Sequence, residues 1–315
     1  MRTLNYYYEI VYPLFSLLLS RQISMVIHSI QQTIMIQTVC VCGAGTMGRG
    51  IAQVAARYGF HTILFDVNKD VLQQANTALQ KDLRILVEKH KLTAEQQQSI
   101  LDHIRFTSEI NDCIADIVIE AIVEKLPVKV GLFNQLEEVN HSETIFATNT
   151  SSLSVTDIAK QVVHPERVAG MHFFNPAPLM KLVEVVATPL TNQATIDAVV
   201  SLTKELQKTP VLCNDAPGFI VNHVARPYYL EALYLAEKEL SSIETMDTLL
   251  EATGFKMGPF KLMDLIGNDI NYAVSCSVYD QLGQPLRLRP SPLQEEKVKS
   301  GALGRKSGKG YYQYN

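Results

Sequence analysis

The sequence has no excess of positive charge: 28 Lys and Arg stand against 32 Asp and Glu, a formal net charge of -4. Nothing in the global field draws such a chain to nucleic acid, and an anionic substrate needs a locally basic site. Apolar runs long enough to cross a bilayer are missing too. The stretch Ile10 to Leu19 is too short and is interrupted by Pro13. Arg2 precedes it in the manner of a signal peptide, but no small-residue cleavage site follows, and Arg21 and His28 come next. Cysteine is sparse: Cys40, Cys42, Cys113, Cys213 and Cys276 make an odd number without repeated spacing. That favours reduced, buried thiols in a cytoplasmic protein over a disulfide framework, and no metal site is expected. Internal repeats and low-complexity segments are also lacking. What is left is an ordinary globular composition, 47% hydrophobic and 19% charged, in 315 residues. That length suits two domains of roughly 150 residues each.

Residues 1–34 are expected to be an upstream extension outside the fold, because Met35 begins the first strong strand cleanly. From Ile34 to Cys42 the run IMIQTVCVC fits a buried parallel strand. GAGTMGRGIAQVAARY (43–58) turns sharply and becomes a helix, and HTILFD (61–66) is a second strand. A helical arm follows at about 68–104, with Val71, Leu72, Leu79, Leu83 and Leu86 on one side. Further strands are predicted at Asp116–Ala121, Thr144–Thr148, Arg167–His172, Lys181–Val186 and Pro210–Cys213. Alternating strands and helices mean a mostly parallel sheet. After Asp215 the pattern turns helical: Phe219–Lys238, Ile243–Thr253, Asp269–Leu282 and Leu293–Lys299, with 254–260 and 283–292 as connectors. The expected architecture is an α/β domain over 35–214 and an all-helical domain over 215–315.

The segment GAGTMG carries Gly43, Gly45 and Gly48 around Thr46 and Met47, in the spacing G-x-G-x-x-G. The first glycine permits a tight turn, the second lets backbone approach a pyrophosphate, and the third allows close helix–strand packing. The motif alone is weak. Here a strand precedes it, a helix follows, and Asp66 ends the next strand eighteen residues beyond Gly48. A carboxylate there accepts hydrogen bonds from ribose hydroxyls and repels a 2′-phosphate, so a Rossmann-type site for NAD is expected.

MHFFNP (171–176) ends one strand and MKLVEVV (180–186) forms the next, bringing His172 and Glu184 onto neighbouring elements. A dehydrogenase needs a base for the alcohol proton, and a carboxylate at the other ring nitrogen fixes the tautomer. A lone histidine is more often packing, but a carboxylate inside an apolar strand needs a partner. Ser151, Asn222, Lys129 and Asn175 each have an ordinary structural explanation, respectively a helix cap, a helix turn, a solvated face and a turn before proline.

GAGTMGRGIAQ, Asp66, AIVEKLPVK, ATNTSSLS, HFFNPAPLMKLVEVV, DAPGFIVN, GPFKLMDLIG and GRKSGKGYYQY resemble, in order from about Met35 to Asn315, the 3-hydroxyacyl-CoA dehydrogenase family. No hydratase half is present, so the resemblance is to the stand-alone type, including bacterial 3-hydroxybutyryl-CoA dehydrogenases. It implies His172 as catalytic base with Glu184 as its partner, and Ser151 and Asn222 as ligands of the substrate oxygens. Gly43, Gly45, Thr46, Met47, Gly48, Asp66, Glu124, Lys129, Ser151 and Asn175 then stand on the NAD side. It further implies an acyl-CoA substrate and a homodimer formed through the helical domain. The arm, with Lys69, Lys81, Arg84, Lys89 and Lys91, resembles the family's coenzyme A-facing hairpin. His223 stands where members often carry Arg. GNDINYAVSCSVYDQLG (267–283) is similar to relatives acting on 3-hydroxyadipyl-CoA, which would make Arg287 or Arg289 a counter-ion for a second carboxylate; a helix–helix contact in the dimer is the preferred reading of the segment. Other readings are a catalytically silent NAD-binding relative and a sugar or 2-hydroxy acid dehydrogenase.

Overall fold

The computed structural model describes residues 35–314; the expectation for 1–34 lies outside them. Eight strands form one sheet: β1 Thr38–Cys42, β2 His61–Phe65, β3 Ile104–Thr107, β4 Ile117–Glu120, β5 Ile145–Thr148, β6 Val168–Phe173, β7 Leu182–Ala187 and β8 Thr209–Asn214. Their order is β3-β2-β1-β4-β5-β6-β7-β8. Every neighbouring pair is parallel except β6 and β7, which run antiparallel. The chain leaves β1 in one direction and later returns to its other side with β4. That order reversal opens a crevice at the carboxyl ends of the strands.

The helices that cover the sheet are α1 Thr46–Arg57, α2 Lys69–Glu88, α3 Ala94–Asp102, α4 Leu126–Val139, α5 Val155–Ala159 and α6 Gln193–Glu205. Caps explain where several of them start. The Asn68 side chain accepts from the Asp70 and Val71 amides ahead of α2, and Thr93 and Gln96 form a reciprocal capping box on α3. Along α2, Leu72, Ala75, Leu79 and Leu83 recur at helical spacing and are buried. Burying Leu79 and Leu83 contributes about 1.5–3 kcal/mol each, which holds the arm to the rest. One apolar layer lies on each face of the sheet, and β1 feeds both: Val39 and Val41 into one, Cys40 and Cys42 into the other.

The second part is helical: α7 Val221–Glu237, α8 Ile243–Ala252, α9 Pro259–Ile266, α10 Asn268–Gln281 and α11 Pro292–Lys299. Its core gathers Tyr229, Leu230, Leu233, Met246, Phe260 and Met263. Leu230 and Leu233 are therefore internal and offer no surface to a second subunit, whereas Leu249 is 63% exposed. Two elements depart from the sequence expectation. β3 has no counterpart in it, and the expected arm runs into Ile104, the first residue of that strand. The connector expected over 254–260 stops at Gly258, because Pro259 takes the first helical position of α9. The Asp247 carboxylate accepts from the Phe260 and Lys261 amides at 3.0 Å each and so caps that start.

Candidate active site

Gly43 begins the turn after β1 with φ at +100°, a backbone that L side chains avoid. A Cβ there would also stand 2.6 Å from the carbonyl oxygen of Ala121, just past β4. At Gly48 a Cβ would lie 1.7 Å from the Gly43 carbonyl oxygen, so only glycine lets α1 approach the turn this closely. At Gly45 a Cβ would meet nothing within 4 Å, which leaves open space above the start of α1. Gly45 offers no side-chain cap, and the first turn of α1 has no acidic residue. The helix thus presents free amides and a partial positive charge to that space. Thr46 is exposed there, while Met47 packs half-buried against the core. The Asp66 carboxylate, at the end of β2, accepts from the Ala44 and Asn68 amides at 2.9 Å each. It is held beside the turn where a ribose diol would sit. The donor set and the open space fit a dinucleotide.

Gly48→Ala should lower folding stability by roughly 1–3 kcal/mol, because backbone meets backbone and neither can swing aside. Gly45→Ala should leave stability near wild type and weaken NAD binding alone. Urea denaturation paired with calorimetric titration separates the two; equal stability loss in both variants would contradict this difference in packing.

At the other end of the crevice His172 and Glu184 face each other directly across the β6–β7 ladder. Glu184 Oε2 accepts from His172 Nδ1 at 2.7 Å, and the two side chains are 0% (Glu184) and 7% (His172) exposed. Phe174 and Phe219 flank the imidazole, with ring centroids at 4.6 and 5.6 Å. The second carboxylate oxygen has a job the sequence did not disclose: Oε1 accepts from the Ile220 and Val221 amides at 3.0 and 2.8 Å, at the start of α7. Burial pushes the Glu184 carboxyl up, but the His172 hydrogen bond and the two α7 amides outweigh it and hold it below the usual range. One carboxylate therefore joins the imidazole to the helix that carries Asn222. The Asn222 side chain has no hydrogen-bond partner among the described residues, and its carbonyl accepts from Arg226 Nε at 2.9 Å. His223 takes up the Pro217 carbonyl at 3.1 Å.

Between these ends lies the loop after β5. Glu124 Oε1 accepts from the Thr150 hydroxyl, the Ser151 and Ser152 amides at 3.0 and 3.2 Å, and the Ser152 hydroxyl at 3.0 Å. Ser151 is not the cap of the next helix: Ser154 caps α5 by accepting from the Asp157 amide. Lys129 is not a solvated residue either. It is 1% exposed, with Nζ 2.6 Å from Glu120 Oε1 and 3.0 Å from Glu124 Oε2. A buried ammonium demands such partners. Glu120 went unnoticed in the sequence, although a carboxylate ending the apolar strand IVIE was the available signal. Asn175 is exposed and lines a cleft of about 90 Å³ with Thr46, Arg49, Gly50 and Asp82, next to the glycine turn. The helical part reaches this loop as well, since Gln281 on α10 donates to the Ser152 carbonyl at 2.6 Å. Asp215, at the junction of the two parts, accepts from the Ser154 hydroxyl and the Thr156 amide at 2.8 Å each.

The arm's Lys69, Lys81, Arg84, Lys89 and Lys91 are all exposed. Of the five cysteines, Cys40, Cys42 and Cys113 are buried and all are free; Cys40 and Cys42 sulfurs lie 3.8 Å apart. No helix among the described residues is long and apolar enough to cross a membrane.

Both parts of the chain match known proteins. Residues 38–216 match the model of the 3-hydroxyacyl-CoA dehydrogenase NAD binding domain, and 218–314 match that of the C-terminal domain. The chain is 47% identical over 281 residues to an Escherichia coli K12 protein named 3-hydroxyadipyl-CoA dehydrogenase, covering 89% of this chain but 59% of that one. Against the mitochondrial hydroxyacyl-coenzyme A dehydrogenase of Sus scrofa the identity is 40%, covering 89% of this chain and 92% of the relative. A crystal structure of (S)-3-hydroxybutyryl-CoA dehydrogenase from Ralstonia eutropha superimposes with a TM-score of 0.85 at 37% identity, covering 89% of this chain and 100% of that one. A glycine turn fitted to a dinucleotide, a histidine–carboxylate pair across the crevice and these matches lead to one conclusion: the chain belongs to the 3-hydroxyacyl-CoA dehydrogenase family, whose members are NAD-dependent oxidoreductases.

Proposed function

We propose that the chain interconverts a short-chain 3-hydroxyacyl-CoA, such as 3-hydroxybutyryl-CoA, and its 3-oxo form. The observation that carries this reading is the buried His172–Glu184 pair across the β6–β7 ladder. NAD, when bound, supplies the acceptor for the hydride leaving C3. Gly43, Gly45, Thr46, Met47 and Gly48 would hold its pyrophosphate, with Asp66 on the adenosine ribose. Glu124, Lys129, Ser151 and Asn175 would stand on the nicotinamide side, Lys129 acting through Glu124. With Nδ1 engaged by Glu184, His172 is left with Nε2 to take the hydroxyl proton, and Glu184 stabilises the imidazolium that results. Ser151 and Asn222 would hold the substrate oxygens from the two sides of the crevice, and Phe174 and Phe219 keep water from the imidazole. The exposed basic residues of α2 and its hairpin would meet the phosphates of coenzyme A.

The chain-length assignment has one rival with a specific observation behind it, the identity to the Escherichia coli protein named for 3-hydroxyadipyl-CoA. Arg287 and Arg289 are exposed, as a counter-ion for a distal carboxylate would have to be before substrate binds. The deciding measurement is the competition of kcat/KM between 3-hydroxybutyryl-CoA and 3-hydroxyadipyl-CoA, with NAD and NADP compared. The proposal expects the C4 substrate with NAD to win. No turnover of either thioester would leave a silent nucleotide-binding protein. The helical part exposes Leu249, Phe255, Leu265 and Ile270, which a homodimer through that part would help cover, and the free thiols fit a cytoplasmic setting.

A further inference from the structure

The ion cluster under the 150–152 loop has an unbalanced formal charge. Glu120 and Glu124 share one ammonium, Lys129, and two of the three groups are fully buried. Glu120 is fixed by the Thr148 hydroxyl and the Ile122 amide, both at 2.7 Å. Glu124 is fixed by the donors of residues 150–152. The cluster is thus a preorganised, net negative element and not a mobile surface pair. Its place in the crevice is also defined. The loop that begins at Ala121 touches the glycine turn, as the 2.6 Å approach of a Cβ at Gly43 to the Ala121 oxygen requires. On its other side Asn149 Oδ1 accepts from the Phe173 amide at 2.8 Å, next to His172. In the sheet β4 and β5 lie between β1 and β6, and Glu124 is tied to the loop after β5, so a dinucleotide reaching from the turn to the imidazole would run past it.

The two redox forms of that dinucleotide differ in charge at one place, the nicotinamide ring, which is cationic when oxidised and neutral when reduced. We infer that the Glu120–Lys129–Glu124 cluster makes the site discriminate in favour of the oxidised cofactor, Glu124 acting directly and Glu120 by keeping Lys129 neutralised. The inference rests on the proposed placement of the nicotinamide beside Glu124. Glu124 carries the negative charge that this discrimination requires. Burial pushes its carboxyl up, but the Lys129 ammonium and the loop hydroxyl and amides hold it below the usual range.

The experiment is calorimetric titration of the full chain with NAD⁺ and with NADH at fixed ionic strength. Glu124→Gln keeps an oxygen for the 150–152 donors and removes the charge, at the cost of turning its NH₂ toward Lys129 Nζ, which the wild-type Oε2 meets at 3.0 Å. It should lower the ratio of NAD⁺ to NADH affinity by about tenfold, roughly 1.4 kcal/mol. Glu124→Asp, which restores the charge, should keep the ratio close to wild type even where both affinities drop. Glu120→Gln should shift the ratio in the same direction by less, and it serves as the test should Glu124→Gln fail to fold. Glu184 is unchanged in all three variants, so its own field cancels. A merely structural role would weaken both forms alike, and an unchanged ratio in Glu124→Gln and Glu120→Gln would overturn the inference. Wild-type protein that binds neither form would overturn the cofactor placement instead.

Discussion

Glu184→Gln should lower turnover by roughly 10²–10⁴-fold while leaving the chain folded and able to bind NAD. The effect turns on which nitrogen carries a proton. In the native pair the carboxylate accepts from His172 Nδ1 at 2.7 Å, so the neutral ring carries its proton on Nδ1 and leaves Nε2 as the nitrogen that would take the alcohol proton. A carboxamide at 184 keeps its oxygen for the Ile220 and Val221 amides, because α7 offers only donors there. Its NH₂ group then points at Nδ1, which must become the acceptor, and the ring proton moves to Nε2. The imidazole stays in place with the wrong tautomer. Initial rates with acetoacetyl-CoA and NADH, nitrogen NMR of the His172 tautomer and a melting curve test each part. Turnover near wild type would sink the assignment of Glu184 as the group that sets the tautomer.

His172→Gln should cost a similar factor, roughly 10²–10⁴ in rate, with NAD affinity retained. The glycine turn and Asp66 do not touch His172, so cofactor binding has no reason to change. The glutamine amide can still donate to Glu184, which spares the protein an unpaired buried carboxylate. With no base in place, solvent must take the proton, and the residual rate should climb with pH over the range where the wild-type rate is flat. A variant that turns over at near-normal rate would remove His172 from the chemistry.

The pair itself was legible because a short connection between two strands leaves few ways for them to lie except side by side. The glycine turn was legible because strand, turn and helix surround it. Other features resisted for definite physical reasons. β3 is four residues long at the sheet edge and carries Arg105, so its apolar signal is weak. α9 begins at Gly258–Pro259, residues that ordinarily read as a loop, and its start depends on Asp247, eleven positions earlier. Lys129 looked like a surface residue because nothing local revealed that Glu120 lies under it; that contact comes from the sheet bringing β4 beside α4. The second role of Glu184 depends on how the helical part seats on the sheet, a long-range event with no periodicity of its own.

The opposition of His172 and Glu184 follows from sheet register and not from loop conformation. Slipping β7 by one residue would turn Glu184 to the other face and bring Val183 and Val185 round in its place. Val183 and Val185 are both 0% exposed. The geometry of the pair is thus guarded by the intolerance of the hydrophobic layers to rearrangement. The His172–Glu184 contact cannot drift unless the core drifts with it, whatever the loops around it do.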